Sequence, residues 1–307
     1  MERSDTAGWA DGVAFERVSG FRRALKAGLL HPLANYLPAG LLRGLLRLTQ
    51  SELAAANWAD PGGWRSMVIS YDGNPRQIAD KVLVNGGTMS MALRNRRRLA
   101  GAVIAQLIDA AETESGIRDP RRRKSDSRSQ WLCPRLPDSG IAVHVLCLGA
   151  GPGHIISDAM LQARRPANAT LVDLSADAFD YGRSLAERLG LADRMRFVQG
   201  DVRDVAALLD RRVDLVKMVG ICEYLPDEIV VSIARAVHAV MPEGSSVVLN
   251  SLSPAHGTDR FFRRVLGLHM IYRDAAHLRD LMGQAGFVNF TTLPEPLGVY
   301  EVIIGTK

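Results

Sequence analysis

Three glycines at the end of an apolar run are the residues of this sequence best suited to hold a ligand. The run 143–148 is followed by Gly149, Gly151 and Gly153, and a helical pattern comes next. Glycine permits a positive φ and places no Cβ between the backbone and a ligand. A helix that begins directly after such a turn points its first N–H groups at whatever is bound. The spacing therefore predicts a buried strand, a tight turn and a helix, with a nucleotide-like ligand on the turn.

Acidic residues follow the next two predicted strands. Asp173 ends the strand at 169–173, 24 residues after Gly149, and Asp201 follows the strand at 194–198. A carboxylate after the second strand can accept hydrogen bonds from the hydroxyls of a ribose. In open α/β sheets ligands bind outside the carboxyl ends of the strands, so these signals converge on one crevice. The alternatives are an ordinary turn aspartate at 173 and a helix N-cap at 201.

Strands and helices alternate from Ile141 onward, which predicts a parallel sheet with helices on both faces. The predicted strands are 142–148, 169–173, 194–198, 213–218, 245–250, 287–293 and 298–305. The predicted helices are 153–164, 176–189, 202–210, 226–241 and 273–285. Only a short connection joins the last two strands, so one of them must run antiparallel to the rest.

This order of motifs, from Ile141 to Lys307, resembles the class I S-adenosylmethionine (SAM)-dependent methyltransferases. The dinucleotide fingerprint G-x-G-x-x-G is not met, because His154 occupies the position of its third glycine. The resemblance implies a Rossmann-like α/β fold with a seven-stranded sheet, an antiparallel last strand and SAM as cofactor. It implies that Asp201 holds the adenine amino group and that Val202 lies against the ring. The residues expected to bind the cofactor are Gly149, Ala150, Gly151, Gly153, Asp173, Leu174, Asp201, Val202, Met218, Gly220 and Arg94.

The loop after the fourth strand covers the methionine part of SAM in similar enzymes. Glu223 and Tyr224 are its best polar candidates to face a substrate, although Tyr224 suits a core position equally well. Tyr272, before the last helix, can close the pocket, and these three residues are the predicted catalytic group. His256 is a further candidate as general base, because its ordinary pKa lies near neutrality.

Residues 1–112 form a predicted N-terminal helical cap, and 113–140 form a basic linker or loop before the SAM-binding domain at 141–307. Added elements of this kind usually set substrate specificity in the superfamily. Arg94 or Arg96, on the predicted helix 88–112, can pair with the SAM carboxylate, since guanidinium and carboxylate match as a bidentate pair. The leucines of the helix at 39–56 form one apolar stripe with arginines between them. Such a helix can lie on a membrane, but most such helices simply pack on a domain.

Three functions fit these features. The leading hypothesis is methyl transfer to a small molecule, with O-, N- and C-methylation left open, as in secondary metabolism. The alternative is attack on the aminocarboxypropyl chain of SAM with release of methylthioadenosine, as in azetidine-2-carboxylate synthases (SAM cyclases). A SAM-binding regulatory or RNA-associated protein is the third, resting on arginine clusters at 94–98 and 118–128; a solvated helix face and a linker explain them better, so nucleic acid is not an expected partner.

Composition limits the class of protein further. The chain has 307 residues, of which 47% are apolar and 23% charged, with a net charge of +5. No apolar run reaches the roughly 18 residues of a membrane span, and the N-terminus has no signal-peptide pattern. Three cysteines without metal-ligand spacing predict a reducing environment. We therefore expect a cytoplasmic globular protein with a small-molecule substrate and no metal.

Overall fold

The structure is a computed structural model and describes residues 8–111, 142–208 and 212–307. The predicted basic linker at 113–140 and its arginine cluster lie outside the described residues.

In residues 8–111, seven helices precede the sheet. They are α1 (Gly20–Leu25), α2 (His31–Tyr36), α3 (Ala39–Leu48), α4 (Glu52–Ala59), α5 (Trp64–Asp72), α6 (Ile78–Asp80) and α7 (Thr88–Ala110). Five-residue π-helical turns, Lys26–Leu30 and Lys81–Asn85, join α1 to α2 and extend α6. Helix α1 begins at Gly20 because Ser19 caps it by accepting from the Arg22 N–H. The predicted helix at 39–56 is split, because Gln50 takes a φ of 50° and Ser51 caps a new helix.

The sheet has seven strands, as predicted. They are β1 (Val143–Leu148), β2 (Ala167–Asp173), β3 (Met195–Gln199), β4 (Leu215–Lys217), β5 (Ser246–Leu252), β6 (Val288–Pro294) and β7 (Tyr300–Thr306). Their order is β3-β2-β1-β4-β5-β7-β6. Strands β1 to β5 pair in parallel, and β7 runs antiparallel to both β5 and β6. The prediction of an antiparallel last strand is confirmed.

Helices cover both faces of this sheet. The later helices are α8 (His154–Gln162), α9 (Ala176–Arg188), α10 (Val205–Leu208), α11 (Asp227–Val240), α12 (Asp259–Phe261) and α13 (Ala275–Gln284). One core cluster joins Val103 and Ile104 of α7 to Val145 of β1, and α8 packs in the same layer. The other cluster packs α11 and α13 on the opposite face. Helix α7, which the sequence assigned to the cap, is therefore part of the sheet's own core.

Two further properties bear on function. In the described part of the chain, no helix is long and apolar enough to cross a lipid bilayer. The same residues contain no cluster of His, Cys, Asp and Glu able to hold a metal ion.

Candidate functional site

The glycine turn after β1 has backbone conformations that residues other than glycine rarely adopt. Gly149, Gly151 and Gly153 have φ values of 56°, 51° and 87°. A Cβ on Gly149 would lie 1.7 Å from Cγ2 of Ile221, which comes from the loop after β4. The turn is thus tightly packed on its inner side, and α8 begins directly after it.

Asp173, the last residue of β2, is hydrogen-bonded to this turn. Its Oδ2 accepts from the Gly151 N–H at 2.7 Å, and its Oδ1 accepts from the Ser175 N–H at 3.0 Å. A carboxylate has about four acceptor positions, so each oxygen retains capacity for a ligand hydroxyl. The loop after β3 is adjacent, since the Gly200 N–H donates to the Asp173 carbonyl at 3.0 Å.

A cavity of about 700 Å³ opens at the carboxyl ends of β1, β2 and β4. The glycine turn and Asp173 line one side of it. The N-terminal helices line the other side, with apolar residues such as Leu53, Met67 and Leu83 and with the basic residues Arg22 and Lys26. Volumes of about 300–1,000 Å³ are typical of small-molecule sites.

A buried ion pair forms the polar part of the wall. Nη1 of Arg96, on α7, donates to Oε1 of Glu223 at 2.9 Å, and both side chains are almost inaccessible to solvent. Its Nη2 reaches the Tyr71 hydroxyl at 3.4 Å, and its guanidinium carbon lies 4.6 Å from the ring centre of Tyr300. Two buried atoms of the pair, Nε of Arg96 and Oε2 of Glu223, have no hydrogen-bond partner among the described residues. Buried polar atoms are nearly always paired, so this unmet capacity favours a polar ligand group here.

Lys217 adds a second cation to the same cavity. It ends β4, is buried, and its Nζ donates to the Gly149 carbonyl at 3.4 Å. Burial lowers the pKa of Lys217 to about 8, so the ammonium form still predominates at pH 7. The neighbouring Cys147 is a neutral thiol, because burial raises its pKa to about 12. Lys217 was not among the predicted site residues, although a lysine among the apolar residues of 213–219 is a visible signal in the sequence.

His154 contributes an uncharged wall. It lies buried between the rings of Tyr71 and Tyr181, with ring centres 5.6 and 5.8 Å away. Burial lowers the pKa of His154 to about 4, so its imidazole is neutral at pH 7.

The structure gathers eight of the predicted residues around the cavity. They are Gly149, Ala150, Gly151, Gly153, Asp173, Gly220, Glu223 and Tyr224. Leu174, Asp201 and Val202 do not line it. Asp201 instead caps the short turn Val202–Asp204 and binds the Arg203 side chain. Met218 is placed differently from the prediction, because alternation along β4 sends it into the core on the opposite face from Lys217.

Arg94 is also turned away from the cavity. Its Nε and Nη2 bind the carboxylate of Glu16 at 2.6 and 2.7 Å, and Nη1 binds the Ser70 and Val84 carbonyls. Among the arginines of α7, Arg96 lines the cavity, whereas Arg97 pairs with Asp158. Of the two arginines that the sequence offered for the SAM carboxylate, Arg96 lines the cavity and Arg94 does not.

Tyr272 and His256 form a separate network outside the cavity lining. The Tyr272 hydroxyl donates to Oδ1 of Asp259 at 2.6 Å and lies 3.0 Å from Nε2 of His256. His256 is fully buried, and burial lowers its pKa to about 4. Neither residue is among those that line the cavity, and their roles in closing the pocket and in base catalysis stay predictions.

Comparisons with known proteins agree with this fold. Residues 145–244 match the family model described as a methyltransferase domain. The uncharacterized protein YnbC of Escherichia coli (strain K12) is 24% identical over 73% of this chain and 40% of its own length. The tRNA 5-carboxymethoxyuridine methyltransferase of the same strain is 31% identical over 38% of this chain and 42% of its own. The chain thus spans about two fifths of these curated relatives.

One solved structure supports the same conclusion over most of the chain. A candidate O-methyltransferase from Nostoc punctiforme PCC 73102 superposes with a TM-score of 0.52 and 15% identity, covering 85% of this chain and 71% of that one. A similarity at this level of identity concerns the fold alone. Residues 145–244 are therefore similar to methyltransferase domains, and the fold over most of the chain is similar to that of the Nostoc protein.

Proposed function

We propose that this protein binds SAM in the cavity beside the glycine turn and transfers its methyl group to a small, largely apolar molecule. One observation carries the proposal: Oδ2 of Asp173 accepts from the Gly151 N–H at 2.7 Å at the wall of a 700 Å³ cavity. That hydrogen bond brings together the turn and the acid that the sequence singled out separately. It leaves carboxylate capacity for the ribose hydroxyls.

The adenosine end belongs beside Asp173 in this proposal. Leu174, Asp201 and Val202 follow β2 and β3 and remain the predicted adenine contacts. The hydrogen bond from Gly200 to the Asp173 carbonyl supports this placement, because it keeps the two loops adjacent.

The methionine end belongs beside Arg96, Glu223 and Lys217. An α-amino acid group carries a carboxylate and an ammonium. The cations of Arg96 and Lys217 can pair with the carboxylate, and the carboxylate of Glu223 can pair with the ammonium. Nε of Arg96 and Oε2 of Glu223 are buried and unpartnered, and both residues line the cavity wall. Charge-assisted hydrogen bonds of this type are about twice as strong as neutral ones.

The methyl acceptor occupies the remaining, N-terminal part of the cavity. That part is lined by apolar side chains, including Leu53, Met67, Phe262, Leu268 and Met270, with the basic residues Arg22 and Lys26 at its N-terminal side. A volume in the upper half of the usual range suits a cofactor and a second ligand together. The apolar lining favours an acceptor with a hydrocarbon or aromatic body.

Chemistry in this site requires alignment more than a dedicated base. The sulfonium of SAM already makes its methyl group electrophilic, so the protein must hold an acceptor in line with the methyl–sulfur bond and exclude water. Tyr224 lines the cavity next to Glu223, and burial raises the pKa of its hydroxyl. The hydroxyl therefore stays protonated and can donate a hydrogen bond to the acceptor.

Cyclisation of SAM is the second candidate function. The observation in its favour is that Glu223, Tyr71 and Tyr224 line the cavity together around the proposed methionine end. A carboxylate there can take a proton from the α-amine, and aromatic walls can hold the chain folded. The size of the cavity argues against it, because a cyclase requires no site for a second substrate.

Product analysis separates the two candidates. The full chain is incubated with SAM alone, and then with SAM and a library of apolar acceptors, and products are identified by mass spectrometry. Methyl transfer predicts intact SAM in the first mixture and S-adenosylhomocysteine with a methylated acceptor in the second. Methylthioadenosine with a four-carbon amino acid from SAM alone would overturn methyl transfer in favour of cyclisation.

A further inference from the structure

The helices before α4 present large apolar side chains to solvent on the outside of the molecule. We define the outer apolar face as Phe21, Leu25, Leu29 and Leu33 on α1 to α2 with Leu41, Leu45 and Leu48 on α3. Each of these residues is exposed, Phe21 by 79% and Leu48 by 82%. Spacings of three and four residues place the members from each segment on one side of their helix.

Helices α1 and α2 contribute no buried residue, nor does the turn between them. Hydrogen bonds hold much of this segment to the body. Nζ of Lys26 donates to Oγ1 of Thr88 at 3.3 Å, and Asn35 bonds the backbone of Gly257 and Phe261 at 2.9 and 3.0 Å. Lys26 and Asn35 thus bond the body of the protein while the leucines face outward, which leaves those leucines for an external apolar phase.

The charge of the same segment indicates the nature of that phase. From Arg17 to Ser51 the chain contains six Arg or Lys residues and no Asp or Glu. Arg22, Arg23 and Arg47 are exposed beside the leucines. Basic and apolar side chains together on exposed helices are typical of helices that lie in the interface of an anionic membrane.

We infer that the outer apolar face docks this protein on the surface of an anionic lipid bilayer. The leucines and Phe21 enter the boundary of the acyl chains, while the arginines contact lipid phosphates. This is attachment at the surface, since in the described residues no helix can span a bilayer.

The face is continuous with the cavity. Leu25 and Leu30, both partly exposed, also line the cavity wall, together with Arg22 and Lys26. Docking therefore brings the N-terminal side of the cavity to the lipid surface. Delivery of an apolar acceptor from the bilayer is a consequence that rests on the proposed function.

Flotation of the full chain with vesicles tests this inference. We expect binding to vesicles of phosphatidylcholine with 30% phosphatidylglycerol to exceed binding to pure phosphatidylcholine by about tenfold or more, because each basic residue at an anionic surface contributes roughly fivefold. Sodium chloride at high concentration should weaken it, since the charges are screened. The triple variant Leu41→Gln, Leu45→Gln and Leu48→Gln should bind at least about 30-fold more weakly through lost apolar burial.

A matched control replaces exposed apolar residues elsewhere, with Leu161→Gln and Val288→Gln, and should float like the unmodified protein. Phe21→Gln with Leu29→Gln provides a second test within the face, so a folding defect in one variant does not decide the outcome. Calorimetric titration with S-adenosylhomocysteine on each preparation checks the cavity independently.

Failure of the unmodified protein to float on anionic vesicles, with S-adenosylhomocysteine binding intact, would overturn the docking inference and leave the proposed function standing. Flotation without S-adenosylhomocysteine binding would overturn the proposed function and support the docking inference. Concentration-dependent dimers that the triple leucine variant abolishes, without flotation, would make the face an interface between copies and also overturn the inference.

Discussion

Arg96 and Glu223 form an ion pair inside the protein, with 2.9 Å between Nη1 and Oε1 and side chains only 4% and 3% exposed. They lie 127 residues apart in the chain, one on α7 and the other in the turn after β4. The pair therefore joins the N-terminal helices to the ligand-binding edge of the sheet. Because one oxygen and one nitrogen of the pair are unpartnered, we place the amino acid end of SAM there.

Replacement of Arg96 by methionine should destabilise the protein strongly. Removal of one member of a buried pair leaves an uncompensated charge and typically costs about 3–5 kcal/mol in the free energy of unfolding. Urea unfolding followed by circular dichroism measures this change. The control is Arg183→Met, whose exposed partner Asp180 lies one turn away, and which should cost less than about 0.5 kcal/mol. Equal effects of the two substitutions would contradict the buried-pair interpretation.

Asp173→Asn should weaken binding of S-adenosylhomocysteine by about tenfold or more. A hydrogen bond to a charged acceptor contributes about 1.5–3 kcal/mol, and the amide also offers fewer acceptor positions to the ribose. Isothermal titration calorimetry measures the affinity. Asp177→Asn is the matched control, since Asp177 is exposed and pairs with exposed Arg65; its affinity should stay within about twofold of the unmodified protein. An unchanged affinity in Asp173→Asn would remove the residue from the proposed cofactor site.

The lowered pKa of Lys217 should make both the free energy of unfolding and the cofactor affinity depend on pH. Burial lowers this pKa from 10.5 to about 8, so between pH 8 and 10.5 the unfolded chain binds more protons than the folded one. Stability then rises with pH across that window, whereas below pH 8 both states are protonated and the effect is constant. Relative to Lys217→Met, the free energy of unfolding should increase by about 3 kcal/mol across the window, at about 1.4 kcal/mol per pH unit.

Cofactor binding should respond to Lys217 in the opposite direction. As the ammonium loses its proton above pH 8, the SAM carboxylate loses a cationic partner, so S-adenosylhomocysteine affinity should fall. Comparison with Lys217→Met at each pH removes the titration of the ligand itself. Parallel affinity profiles for the two proteins would show that Lys217 does not contact the carboxylate.

Tyr272→Phe should affect stability and leave the cofactor site intact. The hydroxyl donates to the carboxylate of Asp259 at 2.6 Å, and the loss of such a bond costs about 1.5–3 kcal/mol. S-adenosylhomocysteine affinity should remain within about twofold, because the residue is outside the cavity lining. Tyr224→Phe, which removes a hydroxyl from the cavity, is the comparison: we expect it to lower methyl transfer while stability changes less. A large loss of affinity in Tyr272→Phe would restore the sequence-based hypothesis.

The sequence predicted the parts of the site that depend on local backbone. The glycine turn requires positive φ, which the three glycines indicate, and Asp173 lies at the end of a strand that the apolar pattern predicts. The sequence does not show which of Arg94 and Arg96 faces the cavity. That depends on how α7 is rotated against the sheet and on the ion pair between Arg94 and Glu16. Lys217 and Met218 present the same difficulty in a strand: alternation was evident, but the face that meets the cavity is set by the packing of β4 between β1 and β5.

Gly149→Ala tests whether the turn itself is indispensable. Its φ of 56° strains any residue with a Cβ, and the new methyl group would lie 1.7 Å from Cγ2 of Ile221. Backbone strain of this kind costs about 1–3 kcal/mol, and the clash must also displace the loop that carries Glu223. We therefore expect loss of S-adenosylhomocysteine binding together with lower thermal stability. The double variant Gly149→Ala with Ile221→Ala removes the clashing methyl group but keeps the strain, so it should recover part of the stability and part of the affinity. No recovery in the double variant would show that conformation alone, and not the contact with Ile221, makes glycine necessary at this position.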